Sequence, residues 1–486
     1  MIPLPRRSAA RRTAVASGLA LTLGLAAGAF TLTTFAASPA QALCPRDDTD
    51  CGPDIDPVDP ADPTPPPPVQ PVARFGWRVP SLGGTVSTPS PASTGSLVLD
   101  ACASNGGPSG TAAYQWAIHD VASGRTTSYS STSCRTTVGG RPLNGHWTAD
   151  LRVVANDGSV ATASHDLPFR DSLVVQLGDS AASGEGNPTH ARPAAFDDNQ
   201  CDRSSNAAAQ LAANRRRSQL GPHATLTLWN LACSGAAIVT APNGHGGVLR
   251  PYGGQQPAYG PVLPPQVDQL RALMSASGRQ PDAVLVTAGA NDTGWADLVI
   301  QCYWMNKIGL GLVVCERELG YDVQARLGLV EPAFRQLSNR LHTQLPDLPD
   351  SRIYLTEYWD ATHDDRTATT DPIAGPGYSW WCPRDAMAPA ASSRKWGYRN
   401  VVVPLNAHIQ RAAGEHGWHY VGGIMGDFRR HGLCATNPWV VSPTESRGRQ
   451  GNFNGSWHAN LAGQQDIATR LLGSGAFDVS VRAPAF

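Results

Sequence analysis

Lysine is nearly missing from this chain. Lys307 and Lys395 are its only examples, and arginine supplies the rest of the 38 basic residues. That bias is a matter of genome composition, since no physical argument demands it. Beyond short runs such as the N-terminal PRRSAARR the basic residues form no extended cluster, and 39 acids bring the net charge to −1. No nucleic-acid partner is expected, because such binding needs clustered positive charge. Charged side chains make up 16% of the residues against 41% hydrophobic, which describes a globular protein with long neutral loops. The ten cysteines contain no C-x-x-C and are widely and irregularly spaced. In an exported chain they read as disulfides before they read as metal ligands.

Export is what the N-terminus suggests. PRRSAARR supplies positive charge, Val15–Ala37 an apolar stretch, and Ala40-Gln41-Ala42 a small-residue cleavage site, the three parts of a secretory signal over residues 1–42. A retained membrane anchor is the competing reading, since the stretch approaches the ~20 residues needed to span. Its many Ala, Gly and Thr residues and the A-x-A that follows favour cleavage. Arg11-Arg12 hints at a twin-arginine signal, and Leu43 is too bulky to precede a lipidated Cys44. Residues 43–71 form a proline- and aspartate-rich linker containing PVDPADPTPPPPVQP, and proline favours a semi-rigid extended spacer. The expected location is outside the cell, free or associated with the wall.

At 486 residues the chain is too long for one ordinary core. Residues 72–170 run in short alternating stretches such as SLVLDACAS, YQWAIHD and HWTADLRVVA, broken by Gly, Ser, Asn and Asp. That texture predicts a small antiparallel sandwich, with Cys102 and Cys134 bridging its sheets and Trp116 packed on the bridge. Plain packing is the expected role of this region; contact with a lipid interface, a cell wall or a polysaccharide is the alternative. From residue 171 to 486 the texture changes. LVVQL, TLTLWNLA (225–232), AVLVTAG (283–289), RIYLTEY (352–358) and HYVGG (419–423) alternate with helical segments at Pro265–Ser277, Asp322–Leu345, Val403–His416 and Ala459–Leu472. Strands alternating with helices predict a parallel sheet covered on both faces, a three-layer α/β/α domain.

Ligands of such sheets bind beyond the C-terminal strand ends. There LVVQL runs into Gly178-Asp179-Ser180, TLTLWNLA into Cys233-Ser234-Gly235-Ala236, and AVLVTAG into Ala290-Asn291-Asp292, while GSWHAN (455–460) opens the last helix. A serine hydroxyl is a poor nucleophile until a base such as histidine takes its proton. The tetrahedral intermediate then needs fixed donors, which the N–H groups of Ser180 and Gly235 and the Asn291 amide could supply. The bland readings are a plain turn at Gly178-Asp179-Ser180, an unpartnered His458 at a helix start, and a turn-forming Asn291 followed by Asp292 as a helix cap. His408, His416 and His419 lack the spacing of a metal site, and His363 reads as a solvated loop residue. Glu185, beside Ser180, could shape the site entrance and receives no catalytic role.

The blocks GDS, G, N and H, in this order, resemble the GDSL/SGNH hydrolase superfamily over roughly residues 171–473. GDSAASGEG, CDRSSN, ACSGA, GAND and HGLC are similar to its secreted, disulfide-bonded actinomycete esterases and lipases. The resemblance implies Ser180 as nucleophile, Gly235 and Asn291 in the oxyanion hole with the Ser180 N–H, and His458 as base. It also implies bridges Cys201–Cys233, Cys302–Cys315 and Cys382–Cys434; Cys44 and Cys51 remain unassigned. No G-x-S-x-G elbow occurs, so the larger α/β-hydrolase class has no support. One departure stands out. Much of the family has an aspartate three residues before the histidine, and this chain has Gly455 there. A carbonyl oxygen can hold the imidazole tautomer instead, so the carbonyl of Gly455, or one nearby, is expected to orient His458 in a Ser–His dyad.

The expected activity is a secreted serine esterase working on simple esters, acylglycerols or phospholipid acyl chains, with no cofactor and as a monomer. Deacetylation of a polysaccharide or cell-wall glycan is the enzymatic alternative. An inactive surface-binding protein is the alternative from another class. Apolar residues in the loops 241–264 and 292–320, among them Val248, Tyr252, Trp295 and Trp304, are candidates to line an acyl site or simply to pack.

Overall fold

The computed structural model describes residues 70–80, 89, 92, 94–192, 195–239, 247–248, 250–251, 263–294, 315–383, 385 and 388–478, all within one compact unit, Pro68–Phe486. The proposed signal and linker, Cys44, Cys51, Cys302, and most of the loops 241–264 and 292–320 lie outside the described residues.

Seven strands come first: β1 (Gly76–Arg78), β2 (Thr94–Asp100), β3 (Thr111–Asp120), β4 (Thr126–Ser131), β5 (Arg135–Pro142), β6 (His146–Ala155) and β7 (Val160–Pro168). They form two antiparallel sheets, ordered β1-β2-β5 and β4-β3-β6-β7. Alternate residues point inward, so that Leu97, Leu99, Trp116, Ile118, Trp147 and Leu151 meet between the sheets with Phe75 and Phe169. The Cys102–Cys134 bond does not span this core as expected. It joins the end of β2 to the start of β5, neighbours in one sheet whose Asp100 and Arg135 stand opposite each other. The chain leaves one sheet, builds β3 and β4 in the other, and returns beside its exit point, so the two cysteines meet along an edge.

Only Phe169 separates β7 from β8 (Arg170–Gly178), the first strand of the second domain. There follow α1 (Ser180–Ser183), α2 (Ala208–Gln219), β9 (Ala224–Asn230), the two-residue strands β10 (Ala236–Ala237) and β11 (Arg250–Pro251), α3 (Gln266–Ser277), β12 (Ala283–Thr287), α4 (Cys315–Leu327), α5 (Val330–Gln344), β13 (Ile353–Thr356), α6 (Ala391–Gly397), α7 (Val403–His416), β14 (His419–Val421), α8 (Ile424–Asp427), α9 (Pro443–Gln450) and α10 (Leu461–Gly473). The expected helix over Asp322–Leu345 is two helices, α4 and α5, because Gly328 and Leu329 interrupt it.

β14, β13, β12, β8 and β9 form, in that order, a five-stranded sheet that is parallel throughout. Its strands read as continuous apolar runs because both faces are covered. Leu173, Val175 and Leu177 of β8 pack with Val267, Phe334, Leu337 and Ile409 on one side. Val174 turns to the other, with Ala208, Ala212, Ile467 and Leu471. The strand order reverses between β8 and β12, and at such a switch point a crevice opens beyond the strand ends.

Candidate active site

Gly178 closes β8 with φ 142°, and a Cβ there would come within 2.2 Å of Thr287 O. Glycine therefore lets β8 and β12 end side by side. Asp179 turns the chain into α1: its side chain caps the Ala181 N–H at 3.0 Å, and its own N–H donates to Thr287 O at 3.0 Å. Ser180, the first residue of α1, faces the crevice. A cavity of about 220 Å³ opens there, lined by Ser180, Gly235, Asn291 and His458 together with Ser456. Four residues expected from the sequence thus share one wall.

The Ser180 Oγ and His458 Nε2 atoms are 2.7 Å apart. On the far side of the ring, Nδ1 lies 3.2 Å from Ser456 O. A carbonyl only accepts, so Nδ1 carries the proton and Nε2 is left to accept from the Ser180 hydroxyl. The Gly455 carbonyl does not take the ring as expected; it accepts the main-chain N–H of His458 at 3.2 Å. The reason is the tight turn here, in which Trp457 holds φ 68° and leaves the carbonyl two residues back, rather than three, facing the imidazole. A bulky residue in the left-handed region is strained. Trp457 is held there by its N–H to Val441 O at 2.8 Å and by Trp359 Nε1 donating to its carbonyl at 3.0 Å.

Gly235 stands at φ 74°, a left-handed turn that suits glycine. Among the described residues, neither its N–H nor that of Ser180 has a protein acceptor. Asn291 donates one amide hydrogen to Ala236 O at 2.8 Å, and its second is free to point into the cavity. Asp292 is not a helix cap. Its carboxylate receives the N–H groups of Ile238 and Val239 at 3.0 and 2.8 Å, and burial raises its pKa to about 6.

Sequence reasoning missed Tyr358, whose hydroxyl donates to Asp179 at 2.5 Å and accepts from the Ala290 N–H at 3.2 Å. Burial pushes the Asp179 carboxyl up to about 7 and Tyr358 well above its ordinary value. It also missed Trp359, Val402, Leu405 and Phe453 in the cavity wall; Trp359 follows a strand end, the one signal that pointed to it. Of the apolar loop candidates, Val248 packs on the core, while Tyr252, Trp295 and Trp304 lie outside the described residues. His363 is buried rather than solvated, with Nδ1 2.5 Å from Asp360 Oδ2. Bonds also join Cys201 to Cys233 and Cys382 to Cys434, the first beside the Gly235 turn.

A hydroxyl on an imidazole, beside open N–H donors at the end of a parallel sheet, places this domain among the serine hydrolases of ester bonds. More narrowly, residues 174–368 match the model of the family described as GDSL-like Lipase/Acylhydrolase; His458 lies beyond that range. No curated protein matches the chain. Among solved structures, an extracellular lipase from Streptomyces rimosus is 18% identical, with 62% of this chain and 99% of the lipase covered and a TM-score of 0.42. The PKD1 domain of a Vibrio cholerae metalloprotease is 19% identical over 21% of this chain and 99% of its own length, with a TM-score of 0.15. A carbohydrate esterase is 12% identical over 84% of this chain and all of its own, with a TM-score of 0.30.

Proposed function

We propose that this protein is a secreted esterase that cleaves carboxylic esters through an acyl-enzyme on Ser180, with His458 as its base. The observation that carries the reading is the 2.7 Å contact between Ser180 Oγ and His458 Nε2, on a ring whose other nitrogen faces a carbonyl. Ser180 gives its proton to Nε2 as Oγ attacks the ester carbonyl. The oxyanion takes hydrogen bonds from the Ser180 and Gly235 N–H groups and the Asn291 amide. Collapse breaks the bond to the leaving oxygen, which receives the proton from Nε2. Water, deprotonated by His458, then attacks the acyl carbon, and Ser180 leaves with the proton.

No carboxylate is needed to steady the ring, because the Ser456 carbonyl holds the tautomer in which Nε2 can accept. The substrate reading rests on the cavity: about 220 Å³, with Ala181, Trp359, Val402, Leu405 and Phe453 in its wall. Such apolar lining suits an acyl chain. Three disulfides support an oxidising compartment.

Hydrolysis of p-nitrophenyl esters from acetate to palmitate, by the wild type and by S180A and H458A, tests this. Turnover with at least a ~1,000-fold loss in either variant is expected. An optimum at acetate would move the assignment to a deacetylase. Absence of turnover by a folded wild type would overturn the esterase.

A further inference from the structure

Glu185 has no part in the proton transfers above, yet it is buried at 1% exposure in the wall of the same cavity. A carboxylate in such a place must be neutralised or fully hydrogen-bonded, and its partners lead to the oxyanion turn. One oxygen accepts the Ser234 hydroxyl, and the other lies 3.4 Å from Gln450 Nε2. Asp202 completes the set with a carboxyl hydrogen-bonded to Glu185. Burial first, and then the charges of Glu185 and Asp198, raise the Asp202 carboxyl to about 8.

Ser234 immediately precedes Gly235, and the N–H of Gly235 belongs to the peptide plane that joins them. That plane cannot turn without moving Ser234. Its main-chain N–H is already fixed by Cys201 O at 3.1 Å, beside the Cys201–Cys233 bond. We propose that Glu185, by gripping the Ser234 hydroxyl, is a positioning residue that aims the Gly235 N–H at the oxyanion. The assignment rests on the esterase reading above.

Steady-state kinetics on p-nitrophenyl butyrate with E185A, S234A, the double variant and E185Q test the assignment, with wild type and S180A as controls. Removing an oxyanion donor outright costs about 100- to 1,000-fold, so mis-aiming one is expected to lower kcat about 10- to 100-fold, with KM within about twofold. The double variant should fall no further than about threefold below the weaker single, because both remove the same contact. E185Q should recover to within about threefold of wild type, since its amide oxygen can accept from Ser234. A kcat within twofold of wild type in E185A or S234A, losses that multiply, or a loss that E185Q does not repair would each overturn the assignment. If E185A does not fold, S234A alone decides by the same criterion. A wild type without Ser180-dependent turnover would sink the esterase reading itself, whereas an active wild type with an unaffected S234A sinks only the positioning role.

Discussion

Asn291 shows how little a single residue needs to do. One amide hydrogen is spent on Ala236 O, which fixes the side chain and leaves the other for the oxyanion in the proposed mechanism. N291A should lower kcat about 100- to 1,000-fold while costing only about 1 kcal/mol of stability for the lost hydrogen bond. Kinetics beside a urea titration separate the two, and a stability loss matching the activity loss would refute the role. His458 makes a related point. In the proposed dyad, an acceptor fixed by the fold takes the place of an aspartate that the sequence lacks. Because that acceptor is main chain, no side-chain pattern says which carbonyl it is, and the left-handed turn at Trp457 decided that Ser456 rather than Gly455 supplies it.

Among the elements, α3 matters more than its sequence suggests. Its first residue, Gln266, is buried and bonds the end of β8 from both sides. Its Oε1 accepts the Gly178 N–H and its Nε2 donates to Gly178 O, each at 2.8 Å. Q266L should leave that N–H buried and unpaired, at about 1–3 kcal/mol, read as a lower urea midpoint with an unchanged slope. A midpoint equal to that of wild type would show the clamp to be dispensable. The five strands were legible as apolar runs because a sheet buried on both faces has no polar side to show. The break between α4 and α5 was not, since Gly328 inside a periodic apolar pattern is tolerated as often as it interrupts.

The whole molecule registers its buried acids as a pH dependence. Asp179 is raised to about 7, Asp292 to about 6 and Asp202 to about 8, against about 4 in an unfolded chain. The folded state therefore holds protons that the unfolded state has released, and these groups contribute stability that is present below pH 4 and is lost as pH rises through each folded value. D179N removes one of them. The stability of wild type relative to D179N should fall between pH 4 and 8, measured by urea unfolding at intervals; a constant difference would refute the linkage. The sign is clear because burial, the largest cause in each case, disfavours the charged form.

The sequence by itself determined the layered α/β domain and the antiparallel one before it, and it pointed to Ser180, Gly235, Asn291 and His458 as the set proposed to act together. Those features are local: each is a strand end or a helix start written in a few consecutive residues, and strand order carries the ends to one crevice. Tertiary structure alone decided the partners. Tyr358 meets Asp179 across 179 positions of chain, and Ser234 meets Glu185 across 49. Such contacts depend on packing two helix layers onto one sheet. A hydrogen bond between distant side chains leaves no periodicity in the chain that makes it, because what fixes its geometry is the burial around both ends.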